Sequence, residues 1–178
     1  MAAAVAILPV VLAAVAGVLG EEAPVDVGKK LKRPTNSILF LSKTEKNLIK
    51  EAIIQAELTT TAEIRVHFDS HQPNDVILAA KTTFEKLGMT NTKDRNGALF
   101  FICTKTHQFA VLGDQGIYQK VPQNFWDEIT LLLSEHFRQN EFAEGLITAI
   151  NLVGKKLATY FMASHRDINE LPDEISFS

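Results

Sequence analysis

The residues with chemistry to offer fall into two groups. The first lies in loops. Asp94 and Asn96 sit in the polar stretch 90–97, and Asp114 stands between Gly113 and Gln115. Two carboxylates, a side-chain amide and nearby backbone carbonyls are the oxygen donors that Ca²⁺ or Mg²⁺ prefers. The same residue types also build solvated turns, so both readings stand. The second group alternates along one segment. Glu63, Arg65 and His67 interleave with Ile64, Val66 and Phe68, and Asp69 follows. On a strand this alternation puts the polar set on one face, as a polar groove or as a merely wet face. Of 5 histidines, His67 and His71 alone are close in sequence. They are not at i, i+4 on a helix, which argues against zinc. His136 lies on an apolar helical stripe and reads as a core or boundary histidine. The sequence has no Gly-rich phosphate loop with its Lys, no CxxC, no HExxH and no GxSxG. Gly113-Asp114-Gln115-Gly116 reads as a strand-ending turn, with no helix directly after it.

The elements that position these residues follow from periodicity. Ser42-Lys43-Thr44-Glu45 has the form of a capping box. Leu48, Ile49, Ala52, Ile53 and Ala56 continue at helical spacing, which predicts a helix over 43–58. Residues 63–68 form a strand. Residues 75–87 form a second helix, with Asn74 as its N-cap and Gly88 as its stop. The almost wholly apolar run 98–103 suits a central strand covered on both faces. Residues 108–112 form the next strand. It is antiparallel to its predecessor, because so short a connection cannot cross over. Pro122 opens a third helix over 122–138. A fourth starts at Asn140, with Phe142, Leu146, Ile150, Val153, Leu157 and Phe161 inward. The helix between the first two strands makes a βαβ crossover, so those strands run parallel. The fold class is α/β: a three-layer α/β/α sandwich on a small mixed β-sheet. Asp94 and Asp114 then fall at one end of the sheet and Asp69 at the other.

Composition sets the frame. The 178 residues are 46% hydrophobic, too apolar for a disordered chain. A single cysteine, Cys103, rules out a disulfide scaffold and reads as a small buried hydrophobe. A sequence pI near 6.0 lacks the dense basic face of a nucleic-acid binder. Residues 1–20 are nearly all apolar and uncharged. They read as an export signal or as a membrane anchor, so the body is exported, periplasmic or membrane-anchored. In the anchor reading, Lys29, Lys30, Lys32 and Arg33 hold the body in the cytoplasm. A misassigned start followed by an untargeted extension, with a cytoplasmic protein, is the third alternative. Residues 21–39 read as a linker, 40–163 as one domain and 164–178 as an acidic tail. In the tail Arg166 stands against Asp167, Glu170, Asp173 and Glu174. Leu171, Ile175 and Phe177 interrupt the acids. Such a tail docks on its own domain, meets a partner or stays solvated.

Residues 40–178 also resemble the TPM domain family, in its short single-domain bacterial form. The resemblance rests on Phe40-Leu41-Ser42, Glu63-Ile64-Arg65-Val66, Asn96-Gly97-Ala98-Leu99-Phe100 and Leu112-Gly113-Asp114-Gln115-Gly116-Ile117. Val121-Pro122, Phe125-Trp126, Phe142-Ala143-Glu144-Gly145-Leu146 and Asn169-Glu170-Leu171-Pro172-Asp173-Glu174-Ile175 extend it. It implies an α/β/α sandwich, divalent cation binding in some members and a proposed acid phosphatase activity in a few. Other members are accessory or repair factors for membrane complexes. Longer members carry an Asp just before the first helix, where this chain reads Asn36-Ser37-Ile38-Leu39-Phe40. That removes one carboxylate that could bind metal or attack phosphorus. The expectation is an accessory or binding module that takes Ca²⁺ or Mg²⁺ and supports a membrane or envelope protein partner. The alternative is a weak metal-assisted acid phosphatase.

Overall fold

The structure is a computed structural model that describes residues 41–106, 108–163 and 169–178. The leader, the linker and the start of the tail lie outside the described residues.

The first helix, α1 (Lys43–Glu57), opens on the expected capping box. Glu45 N–H donates to Ser42 Oγ at 3.2 Å, and Ser42 N–H donates back to the Glu45 carboxylate at 2.7 Å. Strand β1 (Ile64–Asp69) follows, then α2 (Val76–Lys86) and a 3-10 turn at Met89–Asn91. Asp75, not Asn74, caps α2: its carboxylate accepts from Ile77 N–H and Leu78 N–H. Strands β2 (Ala98–Cys103) and β3 (Gln108–Gly113) come next. A six-residue helix, α3 (Gln115–Lys120), starts directly after Asp114, where the sequence suggested only a turn. Helix α4 spans Asp127–Arg138, so Pro122 sits in a turn before the helix and not in its first turn. Helix α5 spans Phe142–Leu157. Asn140, expected to start it, takes a φ of 59° instead. Phe161 lies past the helix end yet stays buried. The tail adds β4 (Ser176–Phe177), a strand that no apolar period announced.

The sheet order is β3-β2-β1-β4. β1 pairs parallel with β2 and β3 pairs antiparallel with β2, as the connections require. The register sets Val66 opposite Phe100 and Phe100 opposite Val111. β4 lies parallel along the outer edge of β1.

Alternation divides the sheet into two faces. Ile64, Val66, Phe68, Ala98, Phe100, Ile102, Phe109 and Val111 pack with α1, α4 and α5 into the larger core. Leu99, Phe101, Cys103, Ala110 and Leu112 pack under α2. The α5 backbone comes so near α1 that a Cβ on Gly154 would lie 2.6 Å from Ala56 Cβ. On the second face α2 covers β2 and β3. The polar side chains of β1 are left to be covered by something else. Among the described residues, no helix is long and apolar enough to cross a membrane.

Candidate functional site

The polar face of β1 is the richest collection of chemical groups in the fold, and it is shut. Glu63, Arg65, His67 and Asp69 are all buried, at 4–7% exposure. The tail residues 169–178 bond directly to Glu63 and His67. Glu63 accepts two successive backbone N–H groups, from Glu170 at 2.9 Å and Leu171 at 3.1 Å. His67 stacks on Phe101 with ring centroids 5.5 Å apart. Its Nδ1 lies 2.9 Å from Ser176 Oγ, and its Nε2 lies 2.9 Å from Ser178 Oγ. Burial lowers the His67 pKa; the Asp69 charge opposes that, while Arg65 and Lys86 add to it. A neutral imidazole follows, accepting from one serine and donating to the other. Burial likewise lowers the Arg65 pKa, against the raising pull of Glu174, Asp173, Glu57 and Glu63. Arg65 Nε has no hydrogen-bond partner among the described residues.

Beside this face, Glu57 accepts from Ile64 N–H at 2.7 Å. Its carboxyl pKa is pushed up to about 9. Burial is the main cause, the Ile64 N–H opposes it, and the charges of Glu63 and Asp173 add to it, with a hydrogen bond to Asp173. Glu57 is thus neutral at pH 7.

The opposite end of the sheet holds Asp94, Asn96 and Asp114. Their loops meet, with Gly116 N–H donating to Arg95 O at 2.7 Å, but Arg95 sits among the three residues. Its Nε and its Nη2 donate to the two Asp114 oxygens at 2.6 and 2.8 Å, and Gln115 N–H donates to one of them at 2.7 Å. Asp114 is 2% exposed and so engaged on both oxygens. Asn96 Nδ2 donates to Thr61 O at 2.6 Å and to Thr61 Oγ1 at 3.1 Å. Asn96 Oδ1 is buried without a partner among the described residues. Asp94 is exposed. The loop fits tightly: a Cβ on Gly116 would lie 2.0 Å from Asp94 O and 2.7 Å from Arg95 O. A hard divalent cation asks for six or more oxygens. Here one orphan amide oxygen is free, and a guanidinium holds the best carboxylate. The residues present do not fit a resident Ca²⁺ or Mg²⁺ while Arg95 is in place. Among the described residues, no cluster of three or more His, Cys, Asp or Glu could hold a metal.

A cleft of about 630 Å³ opens at the carboxyl end of β1, between α2 and β4. Open α/β sheets commonly seat ligands at this end of their strands. Asp69 Oδ1 accepts from His71 N–H at 2.6 Å and lies 2.7 Å from His71 Nδ1. The His71 side chain is 73% exposed. The cleft is also lined by His67, Asp75, Lys86 and Ser178. Sequence reasoning missed Glu57, Arg95, Ser176 and Ser178. The one available signal was Ser176-Phe177-Ser178, whose alternation is that of a short strand.

Comparison with known proteins agrees with this architecture. The TPM domain model matches residues 36–156. The solution structure of BA42 from the psychrophilic bacterium Bizionia argentinensis superposes with a TM-score of 0.75 at 38% identity, covering 78% of this chain and 96% of BA42. The solution structure of the N-terminal domain of a protein from P. gingivalis superposes with a TM-score of 0.58 at 19% identity, covering 71% of this chain and 83% of that one. The second match shows the fold alone. No curated protein matches the sequence. The chain belongs to the TPM domain family.

Proposed function

We propose that this chain is a non-catalytic accessory module of the TPM type, which binds a protein partner in a membrane or envelope setting. One observation carries the reading. The polar face of β1 is buried and bonded almost entirely to the chain's own atoms. Groups held this way lack the open contact that a reacting substrate needs. The setting rests on the apolar residues 1–20. Ca²⁺ or Mg²⁺ has no resident place in this reading, because Arg95 occupies Asp114. The test is phosphate-ester turnover by the purified full chain, from acid to neutral pH, with Ca²⁺, Mg²⁺, Mn²⁺ or Zn²⁺ added. The expected result is no turnover above buffer.

A second reading, a weak acid phosphatase, draws on the Asp69–His71 pair in the open cleft. A carboxylate on Nδ1 orients an imidazole and leaves its other nitrogen free for proton transfer. Turnover that disappears in both His71→Ala and Asp69→Asn would replace the first reading with this one.

A further inference from the structure

We propose that the seat of residues 169–178 is a peptide-binding edge. An extended acidic segment of a partner protein, with a hydroxyl–aromatic–hydroxyl alternation, adds to β1 in place of the chain's own tail. The proposal rests on the binding-module reading and names the partner's chemistry.

The seat has the parts of strand addition, in which backbone bonds supply grip and side-chain pockets supply choice. The backbone part is short. Of β1, only His67 and Phe68 pair with β4, at Ser176 and Phe177. Ser70 N–H donates to Ser178 O at 2.8 Å, and Ser178 N–H donates to Phe68 O at 3.1 Å. Glu63 then grips two further backbone N–H groups. That grip reads a bent backbone and not a particular side chain.

The choosing part is specific. Both ring nitrogens of His67 meet hydroxyls spaced two residues apart, as alternate positions of one strand face. Between those hydroxyls the Phe177 ring stacks on Phe68 at 5.8 Å, with Lys46 Nζ 4.7 Å from its centroid. Lys50 meets Glu174 at 2.6 Å, so an acidic residue two positions before the first hydroxyl is favoured. Leu171 rests on the α2-side core and Ile175 on the other.

Two observations point to exchange and not to a permanent core element. Among the described residues Arg65 Nε is buried and unpartnered beneath the tail, an incomplete fit that a ligand acceptor would finish. The groups beneath the tail, Glu63, Arg65, His67 and Asp69, are ones that water can solvate. Its departure therefore uncovers mostly polar groups, with the apolar contacts of Leu171, Ile175 and Phe177 as the exceptions.

The probe is a fluorescently labelled decapeptide of residues 169–178, with a scrambled decapeptide as control. The protein is the full chain carrying Leu171→Ala and Phe177→Ala, which weaken the tail while every residue of β1 is kept. A tethered tail competes at roughly millimolar effective concentration. The labelled peptide should therefore bind the double variant at least about tenfold tighter than the unaltered chain. Adding His67→Ala should remove that gain. Equal binding of the scrambled peptide, or no binding to a folded double variant, overturns the proposal. So does loss of fold in the double variant, which would make the tail part of the core. Concentration-dependent dimers with no peptide binding also overturn it, in favour of tail exchange between copies. Failure here leaves the phosphate-ester result untouched, so the two readings fall separately.

Discussion

Replacing Glu57 with Gln should stabilise the protein, and by an amount that depends on pH. The carboxyl pKa rises from 4.5 to about 9 on folding. At pH 7 the unfolded chain has Glu57 ionised, while the folded chain holds it protonated. Taking up that proton costs 2.303RT for each pH unit above the unfolded value, about 3 kcal/mol at pH 7. The folded state binds the extra proton. Stability from this group therefore falls as pH rises from the unfolded value of 4.5 towards about 9, and is flat outside that window. Gln carries no charge to neutralise. Its carbonyl can still accept from Ile64 N–H, and its amide can donate to Asp173. The expected gain is about 3 kcal/mol at pH 7, shrinking to about zero near pH 4.5. For a domain of this size that corresponds to a Tm rise of about 10 °C at pH 7. Thermal unfolding of both proteins by circular dichroism across this range measures it. A variant no more stable at pH 7, or a gain independent of pH, refutes the reasoning.

Three other outcomes follow from named contacts. Arg95→Ala leaves the Asp114 carboxylate buried beside one remaining N–H donor and should destabilise by about 2 kcal/mol in urea titration. In the same variant, Ca²⁺ should shift the amide signals of residues 94–97 and 113–116, which it leaves unmoved in the unaltered chain. His67 has a lowered pKa, so the unfolded state takes its proton first as pH falls below 6.5. Stability should therefore drop through the window just below 6.5, and His67→Gln should flatten that slope in pH-dependent melts. Gly116→Ala drives a Cβ against Asp94 O and Arg95 O and should cost about 3 kcal/mol in the same urea measurement.

Wherever a helix or strand buries a long apolar stripe, the sequence revealed it. Ile49, Ala52, Ile53 and Ala56 made α1 visible, and the unbroken run 98–103 marked β2 as central. The crossover rule then set the strand directions. Short elements escaped. Six-residue α3 and two-residue β4 are too brief for a period, and tertiary contacts decide them. Their tertiary partners come from far along the chain. The Arg95–Asp114 pair joins two loops, and the polar face of β1 finds its partners at residues 170–178. Alternation showed that Glu63, Arg65 and His67 share a face. It could not say what covers that face, because hydrogen bonds of this sequence separation leave no local pattern. Asp94 and Asp114 were placed at one sheet end by topology alone. The guanidinium on Asp114 belongs to Arg95, which takes a φ of 51°, a conformation that sequence does not announce for arginine.

The central claim is that the tail closes the polar face of β1 and can leave it while the body stays folded. Amide hydrogen exchange on the full chain tests this directly. The N–H groups of Ser70, Glu170, Leu171 and Ser178 all bond across the tail contact. They should exchange at least about tenfold faster than the ladder amides of β2 and β3, through local opening of the tail. Exchange of all four at the same rate as the β2–β3 ladder would contradict the claim and make the tail inseparable from the core.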